Sequence, residues 1–146
     1  MHSKQPITFQ ISVECKASKD LCWTYWTRVS NWAIVDPAVE WVELQGKFEQ
    51  GSEGITKPVG ADPNQWVLGE IIQGKSAIIQ ITLPQASITF HWLFEPITPA
   101  QSKITQTVKL EGEKAEEYVA AMKTLKQGIK AGMNKLVIAI EKAYIS

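Results

Sequence analysis

Apolar residues return at steps of three and four along the C-terminal stretch 113–144: Tyr118, Met122, Leu125, Ile129, Met133, Leu136, Ile140 and Tyr144. That spacing is the period of an α-helix, and it draws one continuous apolar stripe. Glu116, Lys123, Gln127, Lys130, Asn134 and Glu141 fall on the other side, which is therefore wet. Gly112 marks the start, and Glu113, Glu116 and Glu117 sit near the positive end of the helix dipole. At about 1.5 Å per residue the helix runs about 50 Å, long enough to cross a small domain. It cannot bury its stripe alone, so the rest of the chain must supply a surface for it. Ala121, Gly128, Gly132, Ala139 and Ala143 cluster along one flank of the stripe. A glycine inside a helix costs about 1 kcal/mol against alanine, so two of them need a reason. Either the helix approaches a strand closely or bends there, or the small residues leave space between helix and sheet for a ligand.

At the other end of the chain, after a loose lead-in over 1–5, Ile7, Phe9, Ile11, Val13 and Cys15 alternate with Thr8, Gln10, Ser12, Glu14 and Lys16. A strict period of two predicts a strand buried on one face. Ser18 or Asp20 can cap the helix that follows, whose apolar side is Leu21, Cys22, Tyr25, Trp26 and Val29. A second short helix is predicted over 32–36, stopped by Pro37. From there the pattern becomes short extended segments with turn signals between them, at 39–44, 55–59, 66–72, 76–83, 87–95 and 103–111. Consecutive strands joined by tight turns form an antiparallel meander. The predicted order is β-α-α-β-β-β-β-β-β-α, an α+β architecture in which a curved sheet wraps the long terminal helix. No repeat, linker or low-complexity tract divides the chain, so residues 1–146 are expected to form a single domain.

This layout resembles the helix-grip fold of the START superfamily, also called SRPBCC, which includes pollen-allergen-like and polyketide cyclase-like proteins. The opening strand with Ala17-Ser18-Lys19-Asp20 is similar to the family's strand-to-helix entry, and Trp26 and Trp32 followed by Asp36-Pro37 resemble its aromatic-rich double helix. The run from Gly46 to the Gly51-Ser52 pair and Gly54 is similar to the family's third-strand turn, and Phe90-His91-Trp92-Leu93-Phe94-Glu95-Pro96 to its penultimate strand. These motifs span nearly the whole chain, yet they are structural turns and aromatics, which mark a fold and not a reaction. The resemblance implies a small hydrophobic or amphipathic ligand (a lipid, a polyketide-like aromatic or an isoprenoid) held between sheet and helix. It also allows a cyclase, aromatase or dehydratase acting in the same cavity, or a protein-interaction module using the outer sheet face.

Composition narrows the classes further. Hydrophobic residues make up 45% of the 146, enough for a proper core. Lys and Arg number 15 and so do Asp and Glu, so no basic footprint for nucleic acid is expected. Arg28 is the only arginine and the only candidate for bidentate anion recognition; its place on a short helix puts it on the exposed side. No apolar run approaches the roughly 20 residues of a membrane span, and the N-terminus carries no signal-peptide pattern. Cys15 and Cys22 fit no metal spacing and read as two buried free thiols in a reducing, cytoplasmic setting.

Candidate chemistry is sparse. His2 falls in the lead-in, and His91 shares a strand face with Thr89 and Glu95, opposite Phe90, Trp92 and Phe94, so it is expected to face water. No metal, nucleotide or cofactor motif is present. Six tryptophans are a heavy load for this length. They are either core or the wall of a pocket, with Trp66, Phe90, Trp92 and Phe94 on one side and Tyr118, Met122 and Met133 opposite. Gln106 lies in phase with Ile104, Val108 and Leu110 and is expected to point inward. Glu70 lies in phase with Trp66, Leu68 and Ile72, although Val67 and Ile71 make that strand's facing ambiguous. A desolvated Glu70 is the weak candidate for an acid-base residue. The predicted ligand-binding set is therefore Trp66, Phe90, Trp92, Phe94, Gln106, Tyr118, Met122, Gly128, Gly132 and Met133, with Glu70, Gln106 and Tyr118 as the residues a catalytic version would use.

Overall fold

The computed structural model describes residues 5–144; His2 and the rest of the predicted lead-in up to residue 4 lie outside that range. The order is β1 (Ile7–Cys15), α1 (Lys19–Thr27), α2 (Ser30–Val35), β2 (Val39–Gln45), β3 (Glu53–Pro58), β4 (Asn64–Ile72), β5 (Ser76–Leu83), β6 (Ala86–Thr98), β7 (Gln101–Glu111), a 3-10 turn (Ala115–Tyr118) and α3 (Val119–Tyr144). The seven strands make one curved antiparallel sheet in the order β1-β7-β6-β5-β4-β3-β2. This is the α+β helix-grip arrangement, with every strand from β2 to β7 paired to its neighbour in sequence and β1 closing onto β7. The terminal helix departs from expectation only at its start. Residues Ala115–Tyr118 wind as a 3-10 turn, and the α-helix proper begins at Val119 and not near Glu113.

Alternation along β1 buries Cys15 fully and its other apolar side chains in part, while Thr8, Gln10, Ser12 and Glu14 stay exposed. On α3, Met122, Met133, Leu136 and Ile140 are buried, whereas Leu125 and Ile129 between them are only half-buried. Ser18 is the cap of α1, its Oγ accepting from the Leu21 amide at 3.2 Å. The buried face of α1 is Cys22, Trp23 and Trp26; Leu21, expected inside, is 37% exposed. Trp23 takes the inward place because it lies next to Cys22 and one turn before Trp26, and Leu21 lies across the axis from that group.

An aromatic block joins α1 to the sheet. The Trp26 ring lies 4.8 Å from Trp92, 5.4 Å from Phe94 and 5.6 Å from Trp32, and Trp23 meets Phe94 edge-on at 5.5 Å. Trp32 Nε1 donates to the Trp26 carbonyl at 2.7 Å, so the second helix is tied back to the first. Cys15 and Cys22 are free thiols, 0% exposed, and Cys22 Sγ lies 3.1 Å from Ser102 Oγ. Hydrogen bonding to Cys22, together with burial, pushes the Cys15 thiol up. The same bond, aided by Ser102 and opposed by burial, draws the Cys22 thiol down.

Gly54 shows how tightly the β2–β5 side is packed. It pairs with Trp66 across β3 and β4, and a Cβ built there runs into the Trp66 indole. That ring cannot retreat, because it packs on Trp32 at 5.2 Å and its Nε1 donates to Thr56 Oγ1 at 2.9 Å. Gly54→Ala is therefore expected to cost about 3 kcal/mol in a urea melt, at the upper end of ordinary overpacking. Trp66→Leu in the same chain should recover part of the loss; strict additivity of the two substitutions would show that they do not meet.

Candidate functional site

Between α3 and the sheet the packing leaves a cavity of about 450 Å³. Its floor is Ile79 of β5, Trp92 of β6 and Gln106 of β7; Trp26 and Trp32 stand on one side, Val39, Val42 and Thr56 on the other. The roof is α3, through Leu125, Gly128, Ile129, Gly132 and Met133. Exposed Ala38 and Thr124, with half-buried Asp36, mark the mouth. The gap follows from the two glycines. A Cβ at Gly128 or Gly132 would meet no atom within 4 Å, so close approach to a strand does not explain them. The same opening is why Leu125 and Ile129 are less covered than the rest of the stripe.

The walls are apolar apart from Asp36, Thr56, Gln106 and Thr124. Asp36 is the only ionisable side chain lining the cavity among the described residues, and its Oδ1 already accepts from the Ala38 amide at 2.9 Å. Thr56 Oγ1 is engaged by the Trp66 indole. Gln106 is buried and its side-chain amide makes no hydrogen bond to any described residue. An amide left unpaired away from water costs about 1–3 kcal/mol, so this position is set against a solvent or ligand partner. No group of three His, Cys, Asp or Glu side chains that could hold a metal occurs among the described residues.

Of the residues predicted for a pocket, Trp92, Gln106, Gly128, Gly132 and Met133 line this one. The others stand elsewhere. Trp66 is one layer back, behind Trp32, and lines a second recess of about 720 Å³ where β4 and β5 part beyond the Val67–Gln80 pair. Phe94, 1% exposed, is sealed among Trp23, Trp26 and Trp92, and Phe90 packs where the two apolar clusters of the core meet. Met122 is buried with Ala86, Val108 and Leu110, at the end of the helix where the stripe closes on the sheet. Tyr118 donates its hydroxyl to the Pro84 carbonyl at 3.0 Å.

Glu70 is exposed, contrary to the inward orientation its phase suggested. Leu68 pairs with Ile79 but Ile71 pairs with Ala77, so β4 carries one extra residue against β5. Such a bulge flips the parity of everything after it, turning Ile71 to the core and Glu70 and Ile72 outward. His91 lies on the outer face, opposite Ile78 and Thr107.

The cavity residues that sequence reading did not place there are chiefly Trp26, Trp32, Val39, Val42, Thr56 and Ile79. The two tryptophans carried a signal, since both stand in the aromatic-rich helices. Nothing local separates their cavity-facing edges from the core-facing ring of Trp23.

Residues 6–141 match the sequence profile of the family described as polyketide cyclase / dehydrase and lipid transport. Among solved structures the chain is similar to the Zhui aromatase/cyclase of Streptomyces sp. R1128, at 15% identity and TM-score 0.75, over 94% of this chain and 95% of that one. It is also similar to norcoclaurine synthase of Thalictrum flavum, at 12% identity and TM-score 0.77, over 98% and 99% of the two chains. A third likeness is to Ara h 8.0201, at 15% identity and TM-score 0.69, over 92% and 99%. At these identities the likeness concerns the fold. No curated protein is matched by sequence. Among the described residues no helix is long and apolar enough to cross a membrane.

Proposed function

The chain belongs to the polyketide cyclase / dehydrase and lipid transport family, and from that premise we propose that it binds a small hydrophobic or amphipathic molecule between sheet and terminal helix. The ligand class is a lipid, a polyketide-like aromatic or an isoprenoid, taken up by a single domain in the cytoplasm, where its free thiols stay reduced. The observation that supports this is the cavity itself. It has apolar walls, three indoles and a gap kept open by two costly helical glycines, with one ionisable residue, Asp36, at its mouth. Pockets of about 300–1,000 Å³ with a few polar groups among apolar walls are the usual form of a small-molecule site.

The alternative is a cyclase, aromatase or dehydratase working in the same cavity. Against it, Glu70 faces outward and the Tyr118 hydroxyl is bonded to Pro84, away from the lining. For it stand Asp36 and Gln106, the polar groups a poly-carbonyl chain would meet.

Native mass spectrometry of the purified protein, followed by solvent extraction, tests both. A stoichiometric apolar passenger that persists unchanged is the expected result, and its conversion over time would move the assignment to an enzyme. Titration with neutral Nile red should saturate at one dye per chain. Trp92→Ala is expected to weaken that binding about tenfold or more, whereas Trp41→Ala, on edge strand β2 and 40% exposed, should leave it unchanged. Equal effects from the two, with both variants melting cooperatively, would reduce Trp92 to ordinary core.

A further inference from the structure

Gln106 is the one polar side chain of the cavity floor that nothing among the described residues answers. It sits in the middle of β7, between Ile11 of β1 and Trp92 of β6, and is 3% exposed. Its side-chain amide has no hydrogen-bond partner among the described residues. Among the described residues no side-chain nitrogen or oxygen that is sealed from open space lacks a partner either, so the unpaired amide faces the cavity. Water can answer it while the cavity is empty. A ligand that displaces that water must do the same or lose affinity.

The other groups around the space restrict what the ligand can offer. No Lys, Arg or His lines the cavity among the described residues, so a carboxylate or phosphate carried to the floor would be desolvated without a counter-charge. A cation could meet Asp36 only at the mouth. At the floor, a carboxamide donates through its NH₂ and accepts through its carbonyl, and both suit a neutral hydroxyl or carbonyl oxygen. Trp26, Trp32 and Trp92 border the same space, across from a stretch of helix that has no side chain at Gly128 and Gly132. Away from Gln106 the walls are apolar, so the body of the ligand that fills the space is apolar too.

We propose that the cavity selects an uncharged, apolar molecule that enters with a hydroxyl or carbonyl first, and that Gln106 is the specificity-determining residue that reads this group. The assignment rests on the cavity being a binding site, and it adds to that reading the polarity, charge and orientation of the ligand.

Three probes of one shape test it by isothermal titration calorimetry at neutral pH: 2-naphthol, 2-methylnaphthalene and 2-naphthoate, each against the wild-type protein and Gln106→Leu. The methyl compound is the near-isostere of the naphthol without its hydrogen bond. The ratio of naphthol to methylnaphthalene affinity is expected to fall about tenfold or more in Gln106→Leu, because one buried hydrogen bond is lost and an unpaired amide is removed. Naphthoate is expected to bind neither protein.

An unchanged ratio, or naphthoate binding as well as naphthol, would overturn the role of Gln106 while leaving the cavity a binding site. Failure of both neutral probes to bind the wild-type protein would instead remove the binding reading, and the specificity with it. Leucine between Ile104 and Val108 on the same face should leave the melting temperature at or above that of the wild type. Gln106→Met, unbranched like glutamine, repeats the measurement if leucine crowds the site.

Discussion

Gly132→Leu folds and no longer binds. Gly132 lies on the cavity side of α3, where an added Cβ would meet no atom within 4 Å. Gly132→Ala should therefore show only the helix-propensity gain, up to about 1 kcal/mol, and raise the melting temperature by a few degrees. Leucine keeps most of that gain but sends its branched end into the space between α3 and Trp92. Nile red affinity is expected to drop about a hundredfold, equivalent to about 2.8 kcal/mol, with a cooperative melt retained. A folded leucine variant that binds as the wild type does would put the ligand somewhere other than this cavity. A leucine variant that cannot fold would show that the space is not available, and that the glycines serve packing after all.

Ending the chain at Gln127 has the opposite outcome, a protein that does not fold. The lost part of α3, from Gly128 to Tyr144, carries Met133, Leu136 and Ile140, all buried against the sheet and the first two helices. At about 1.5–3 kcal/mol for each large apolar side chain, their burial contributes about 5–9 kcal/mol, comparable with the whole stability of a domain. The truncation also uncovers Cys15, Cys22 and Trp26, and removes the Glu141 carboxylate that accepts the Lys16 amide at 2.9 Å. Circular dichroism of the shortened chain should show no cooperative thermal transition. A sharp melt would mean that the sheet holds its shape without the helix it wraps.

Both variants act on the same helix, and they separate what can be read along the chain from what cannot. Local periodicity carried the fold. The helical stripe, the strict alternation of 7–15 and the turn residues between strands each depend on neighbours a few positions away. Their consequences, an amphipathic helix and half-buried strands, therefore follow from residue order. Periodicity failed where one residue alters the count. The bulge between Leu68 and Ile71 reverses the facing of Glu70, and it depends on pairing with β5, which sequence phase does not contain.

The candidate site divides in the same way. That Gly128 and Gly132 need an explanation, and that Gln106 points inward, were properties of the sequence, because helix cost and strand phase are local. Which explanation holds was decided by distance between elements far apart in the chain: how far α3 stands from β5, β6 and β7, and whether α2 and β2 fill the gap. Trp92 borders the cavity while Phe94, two residues on and on the same face, is sealed behind it. The difference is that Trp23 and Trp26, brought over by α1, cover one and only partly cover the other. The sequence by itself determined a sheet gripping a helix with small residues along one flank. Only the tertiary structure decided that Gly128 and Gly132 face empty space and not a strand, because a cavity is the volume that several packed elements fail to fill, and no single stretch of chain encodes it.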